Sequence, residues 1–304
     1  MKISTRKVII NHPYFAQAKR HLQRAYDSYD SEEPLCVPII GPSGTGKSTV
    51  IADFIETIGV QDDGMTKSVV VIETPSNPTV KSMASEVLSA IGDPMYYRGT
   101  EVQMTARIIE YLKALETRLL IFDELQNLID RESDKLSFKA ADWLKRLVNK
   151  SKIPVVIVGL ERTRELFLVN EQLRRRFTES YTMHPFHWAV PEAKLALLGF
   201  LGAVQTQYNF DPQLKLTTAD IAYRMYCATG GLVGYIMAII NEAKKLACGS
   251  AITMQHLAEA YASTVNGNTL VGINPFIRSD SEQLEAALAV VEESKPIRRR
   301  SKIR

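Results

Sequence analysis

Residues 35–59, LCVPII-GPSGTGKST-VIADFIETIG, constrain this chain more than any other segment. A short apolar run, a glycine-rich loop and an amphipathic stretch follow one another, which predicts a buried strand, a tight loop and a helix. Within it, GPSGTGKS (41–48) satisfies the pattern G-x-x-x-x-G-K-[ST] at every position. Gly41, Gly44 and Gly46 let the backbone curl so that several N–H groups converge on phosphate oxygens, and the helix N-terminus adds its positive dipole end. Lys47 is expected to reach the outer phosphates and Ser48 to offer its hydroxyl to Mg²⁺. Pro42, Ser43, Thr45 and Thr49 belong to the same nucleotide-contacting run, and the expected ligand is ATP with Mg²⁺.

The pattern then alternates. SVVVIE (68–73), RLLIFDE (118–124) and IPVVIVG (153–159) read as buried strands, with helical spacing in TVKSMASEVLSAIG, over roughly 101–117, and in LSFKAADWLKRLVNK. TRELFLVNEQLRRRF reads as helix and ESYTMHPF as an edge strand. Such alternation predicts an α/β fold: a parallel five-stranded sheet flanked by helices. From Trp188 the apolar spacing becomes helical throughout, broken only by Gly, Pro and Asp/Thr. The expected organisation is an α/β domain over 1–187 with a basic N-terminal segment, a helical domain over 188–265, and a loose basic extension over 266–304.

LLIFDE (119–124) supplies the acids that phosphoryl chemistry needs. Its apolar residues predict a strand lying beside the strand that leads into the phosphate loop. Asp123 then emerges at its end to hold Mg²⁺, and Glu124 is placed as general base for an attacking water. Downstream, Arg174, Arg175 and Arg176 cluster in NEQLRRRF. One of them can stabilise γ-phosphate charge in a neighbouring subunit's site; helical spacing points the three in different directions.

Charge is distributed unevenly. Residues 1–26 carry six basic and no acidic side chains, as do residues 295–304, so the net charge of +3 leaves −9 for the middle (3 − 12). Basic ends suit a polyanion or an acidic protein face. Cys36, Cys227 and Cys248 have neither CxxC spacing nor a histidine cluster, so free thiols in a reducing compartment are expected. No apolar run reaches membrane-spanning length, and the expected location is cytoplasmic.

With both acidic and glycine-rich motifs, a polybasic segment and a helical C-terminal part, residues 12–265 resemble the AAA+ ATPases. Within that class they resemble the TniB/TnsC regulators of Tn7-like transposons. The similarity rests on HPYF (12–15), LLIFDELQNL (119–128), IPVVIVGLERTRELFLVNEQLRRRF (153–177), TGGLVGYI (229–236) and NPF (274–276). The resemblance implies an ATPase that assembles with itself as rings or helical filaments on duplex DNA, linking a TniQ-type target selector to the transposase. It also places Lys81, Arg98 and Thr100 where such ATPases touch DNA. Two departures stand out. A basic sensor expected near the start of a helix after a Gly turn falls at Gly234 or Tyr235. The polar sensor expected at the end of the fourth strand falls at Gly159 or Leu160. Other readings are a helicase loader or initiator, for which no DNA-reading domain is evident after residue 188, and a nucleotide-gated module without turnover, against which Glu124 and the arginines weigh.

Overall fold

The computed structural model describes residues 9–59, 66–76, 78–129, 134–169, 171–264, 273–277 and 281–293. They group into two compact units, one spanning Tyr14–His184 and the other combining Pro13 and its described predecessors with the described residues from Pro185 onward.

In the first unit the strands are β1 (Val37–Ile40), β2 (Val69–Glu73), β3 (Leu119–Asp123), β4 (Val155–Gly159) and β5 (Tyr181–Thr182). They form one sheet in the order β2-β3-β4-β1-β5, and every neighbouring pair is parallel. Val37–Ile40 and Val155–Gly159 are buried at every position, as expected of a sheet covered on both faces. The helices are α1 (Pro13–Asp27), α2 (Lys47–Ile58), α3 (Val80–Ile91), α4 (Glu101–Ala114), α5 (Asp134–Ser151), α6 (Glu165–Val169) and α7 (Glu171–Arg176). Leu120, Phe122, Val155 and Ile157 share a buried cluster with Met83, Leu88, Ile108, Trp143 and Leu147 from α3, α4 and α5. By the alternation of strand side chains, Leu119, Ile121, Val156 and Val158 face the other way. α1 and α2 are joined by Lys19 to Asp53 at 2.5 Å and by an edge contact of Tyr26 on Phe54.

Three expectations need correction. The strand bearing Asp123 does not lie beside the P-loop strand; β4 is inserted between β3 and β1. A buried apolar run says that a strand is central but not which neighbour it takes, because all these strands present the same aliphatic faces. The basic N-terminal segment is in part internally neutralised: Lys19 meets Asp53, and Arg24 forms a two-pronged pair with Glu179 at 2.8 Å on both arms. The loose extension after residue 265 contains a helix, α12 (Ser281–Glu293), whose Leu284, Ala287 and Val291 are buried at helical spacing. Ahead of it, Arg224 of the helical unit donates to the Pro275 and Ile277 carbonyls at 2.7 and 3.0 Å. The basic run 295–304 and the basic residues Lys2, Arg6 and Lys7 lie outside the described residues.

The second unit holds α8 (Pro191–Gln207), α9 (Ala219–Thr229), α10 (Val233–Leu246), α11 (Met254–Ser263) and α12. Its chain includes His12, whose ring sits edge-on to Phe186 and Phe200 at 5.2 and 5.6 Å, so the described residues up to Pro13 belong with the helices and not with the sheet. Gly231 is obligatory in the TGGLVGYI turn: its φ is +70°, and a Cβ there would lie 2.0 Å from the Phe186 carbonyl oxygen. Among the described residues, no helix is long and apolar enough to cross a membrane, and Cys36, Cys227 and Cys248 are free thiols.

Candidate active site

The site forms at the C-terminal ends of β1 and β3, where the loop 41–46 feeds α2. Its glycines are required for different reasons. Gly44 and Gly46 adopt φ of +80° and +95°, a region that side-chain-bearing residues avoid. Gly41 is held by proximity: a Cβ there would lie 2.4 Å from the Met183 carbonyl oxygen, in a chain segment pinned by the Met183 N–H donating to the Ile40 carbonyl at 2.7 Å. Thr45, buried, donates to the Pro42 carbonyl at 2.9 Å and closes the curl. Ser43 and Ser48 are exposed, and Pro42 and Thr49 are half-buried.

The Lys47 side chain folds into this loop, its ammonium donating to the Gly41 and Pro42 carbonyls at 2.8 Å each. Burial pushes its pKa below the ordinary lysine value, while the Glu124 and Asp123 carboxylates push it back up. A cation held on two loop carbonyls and flanked by two acids suits a polyphosphate. The Ser48 hydroxyl donates to Asp123 Oδ2 at 3.0 Å. Two hard oxygen ligands from α2 and β3 therefore meet at one point, the donor set Mg²⁺ prefers. Intervening β4 does not prevent this, because α2 starts where the sheet ends and Ser48 reaches across.

Glu124 stands one residue past β3 in the left-handed region, φ +55°. That conformation is uncommon for a residue with a side chain, and contacts on both sides maintain it. Its N–H donates to Asp123 Oδ1 at 2.8 Å. The following single-turn helix, Leu125–Leu128, is fastened to both neighbouring strands. The Asn127 amide donates to the Thr74 carbonyl beyond β2 at 2.8 Å, and Gln126 Oε1 accepts from the Leu160 N–H beyond β4 at 3.0 Å. The Gln126 amide nitrogen in turn donates to the Glu124 carboxylate. Gln126, Asn127 and Met183 are absent from the residues read out of sequence. The polar pair in LQNL, set inside an otherwise apolar stretch, is the signal that could have found the first two; nothing local marks Met183.

The arginines separate by their surroundings. All three are exposed on α7. Arg175 is paired with Glu171 at 2.9 Å. Arg176 lies near enough to Cys36, at the start of β1, to influence its thiol, so it sits toward the end of the sheet opposite the phosphate loop. Among the described residues, Arg174 makes no side-chain hydrogen bond or ion pair. The structure does not bring the three into their own chain's loop.

The DNA-contact candidates gather on the α3–α4 hairpin. Lys81 is exposed one helical turn, about 6 Å, before Ser85, whose hydroxyl donates to the Tyr96 carbonyl at 3.2 Å. Lys81 and the loop 94–99 thus share a face. Arg98, exposed, lies over the Tyr97 ring at 5.7 Å. Thr100 caps α4, exchanging hydrogen bonds with Gln103. The loop is braced by Arg107, which pairs with buried Asp93 at 2.8 Å and donates to the Met95 and Arg98 carbonyls.

The model of a family described as "Bacterial TniB protein" matches residues 1–187. Among curated relatives, the Staphylococcus aureus (strain USA300) ATP-dependent Clp protease ATP-binding subunit ClpL is 24% identical over 151 residues, 48% of this chain and 20% of its own length. Chaperone protein ClpB of Wolinella succinogenes is 22% identical over 172 residues, 56% and 18% respectively. This chain therefore spans about a fifth of the length of those relatives. In three dimensions it is similar to the Aeropyrum pernix ORC1 protein in complex with DNA (TM-score 0.62, 13% identity, 92% of this chain and 77% of that one). It is equally similar to Cdc6p from Pyrobaculum aerophilum (TM-score 0.62, 14% identity, 95% and 83%). At such identities the likeness establishes a shared fold.

Proposed function

This chain belongs to the bacterial TniB family, with the AAA+ ATPase fold, and on that premise we propose that it is an ATP-hydrolysing regulator of DNA transposition that assembles on duplex DNA. The observation carrying the reading is the meeting of Ser48 and Asp123 at 3.0 Å beside Lys47 and Glu124. That arrangement suits hydrolysis better than simple phosphate binding. Backbone donors of residues 41–49 and the Lys47 ammonium hold the polyphosphate. Ser48 and Asp123 would hold Mg²⁺, which when bound would neutralise phosphate charge. Glu124 takes a proton from the attacking water, oriented for in-line approach.

An arginine of α7 completes the site from an adjacent copy. This is supported by the exposure of the whole cluster on α7. Lys81, Arg98 and Thr100 then face the DNA backbone, where contacts give affinity without sequence reading. That a protein of the same fold was solved in complex with DNA is in keeping with DNA binding by this chain. The transposase and a TniQ-type target selector are the proposed protein partners, with the basic run 295–304 as the recruiting segment.

The test is electron microscopy of the protein with duplex DNA, with and without a slowly hydrolysed ATP analogue, alongside steady-state turnover of wild type and Glu124→Gln. ATP-dependent rings or filaments are expected, with turnover lost at least about 100-fold in the variant and nucleotide binding kept. Equal turnover in both proteins would sink the general-base role. DNA-bound assemblies indifferent to nucleotide would sink the regulatory one.

A further inference from the structure

We propose that Gln126 is a positioning residue for Glu124, taking the place of the polar side chain that the end of β4 lacks. The inference rests on the reading of Glu124 as general base. Gln126 is buried, 2% exposed, at the centre of the three strand ends that frame the site. Its amide is used at both ends: the nitrogen donates to the Glu124 carboxylate, and the oxygen accepts from the Leu160 N–H at 3.0 Å. Only this orientation of the amide satisfies both partners, because a carboxylate cannot donate and an N–H cannot accept.

The fourth strand leaves room for this side chain and for nothing else. Gly159 ends β4, and a Cβ there would lie 2.7 Å from Gln126 Oε1 and 2.4 Å from Thr163 Oγ1. The Gln126 oxygen thus fills the space that a side chain on residue 159 would enter. Thr163, fully buried in the turn that follows β4, has a hydroxyl with no hydrogen-bond partner, so this corner already carries polar capacity aimed at the same spot. The same turn is tied to β5 by Arg164, which donates to the Thr182 hydroxyl at 2.7 Å. Thr182 adjoins Met183, the residue pressed against Gly41.

The chemical consequence follows from the hydrogen bond. A donor on one carboxylate oxygen restrains the torsions of Glu124 and leaves the other oxygen to take the water's proton. A shift of the β4 end reaches Glu124 through one rigid amide. Leucine at 126 keeps the volume while removing both bonds; glutamate keeps the acceptor for Leu160 but opposes Glu124 with like charge. Gly159→Ala supplies an independent wedge that dislodges the Gln126 oxygen without altering residue 126.

The experiment measures ATP turnover from pH 5.5 to 9 and affinity for a fluorescent ATP analogue, for full-length wild type, Gln126→Leu, Gln126→Glu and Gly159→Ala. Expected is a fall in kcat of about tenfold or more in all three variants, a share of the usual general-base contribution, with nucleotide Kd within about threefold of wild type. Unchanged kcat in Gln126→Leu, or kcat and nucleotide affinity falling together, would overturn the positioning role while leaving Glu124 as base. A wild type without turnover would overturn both.

Discussion

Replacing Gly41 by alanine separates close approach from backbone conformation as the reason for a glycine. No left-handed φ is required at 41, so the cost is steric: the new Cβ would stand 2.4 Å from the Met183 carbonyl oxygen, against a practical limit of 3.0 Å. Either the loop or the strand end must retreat by at least 0.6 Å (3.0 − 2.4). The obstacle is backbone and cannot rotate away. Retreat strains or breaks the 2.7 Å bond from the Met183 N–H to the Ile40 carbonyl that pins β5 to β1. A lost backbone bond costs about 1 kcal/mol, overpacking adds about 1–3 kcal/mol, and the stiffer unfolded chain returns about 0.4–1 kcal/mol. The net is about 1–4 kcal/mol, or roughly 2–15 °C in the melting temperature of a unit of this size.

Differential scanning calorimetry with and without ATP and Mg²⁺ is the assay. Because the displaced segment is the phosphate loop, ATP affinity should fall at least about tenfold, the equivalent of 1.4 kcal/mol. Gly59→Ala is the control: its φ is +63° and nothing lies within 4 Å of a Cβ, so it should cost only about 1 kcal/mol and spare ATP binding. Gly41→Ala melting within a degree of wild type, with normal ATP affinity, would refute the steric argument.

The paired state of Arg175 with Glu171 makes Arg174 the better candidate for reaching a neighbour's phosphates. Arg174→Ala should lower turnover by about 10³-fold, Arg175→Ala far less, and mixing Arg174→Ala with Glu124→Gln should restore a fraction of the wild-type rate. No recovery on mixing would argue against a site shared between copies. Burial against Phe186 and Phe200 lowers the His12 pKa from 6.5 to about 4. The unfolded chain therefore takes up the proton first as pH falls. The stability is full above about pH 6.5 and is lost toward pH 4, by at most about 3 kcal/mol. Urea titrations across that range should show a flatter pH dependence in His12→Leu; an identical slope would remove His12 from the account.

Much of the fold was legible because it rests on local chemistry. Periodicity located the strands and most helices, since a strand buried on both faces must be continuously apolar and an amphipathic helix must repeat its apolar positions. The α/β class and the family likewise came from motifs in the printed order. Helix α12 was legible too, in SEQLEAALAVVEE, but its neighbourhood of polar and basic residues obscured it. The strand order was not legible, because aliphatic strands have no local mark that names their partners.

The same division holds at the site. By itself the sequence determined that Gly41–Ser48 and Asp123–Glu124 belong to one chemistry, since such residue types at such spacings have few other uses. Only the tertiary structure decided how they meet: Ser48 reaching past β4 to Asp123, Met183 closing on Gly41, and Gln126 joining the end of β4 to Glu124. Apart from the Gln126–Glu124 bond, those contacts join residues 34 to 142 positions apart (160 − 126 and 183 − 41). The sequence neighbours of each member carry no trace of the other; the parallel crossovers that bring the strand ends together create the pairing.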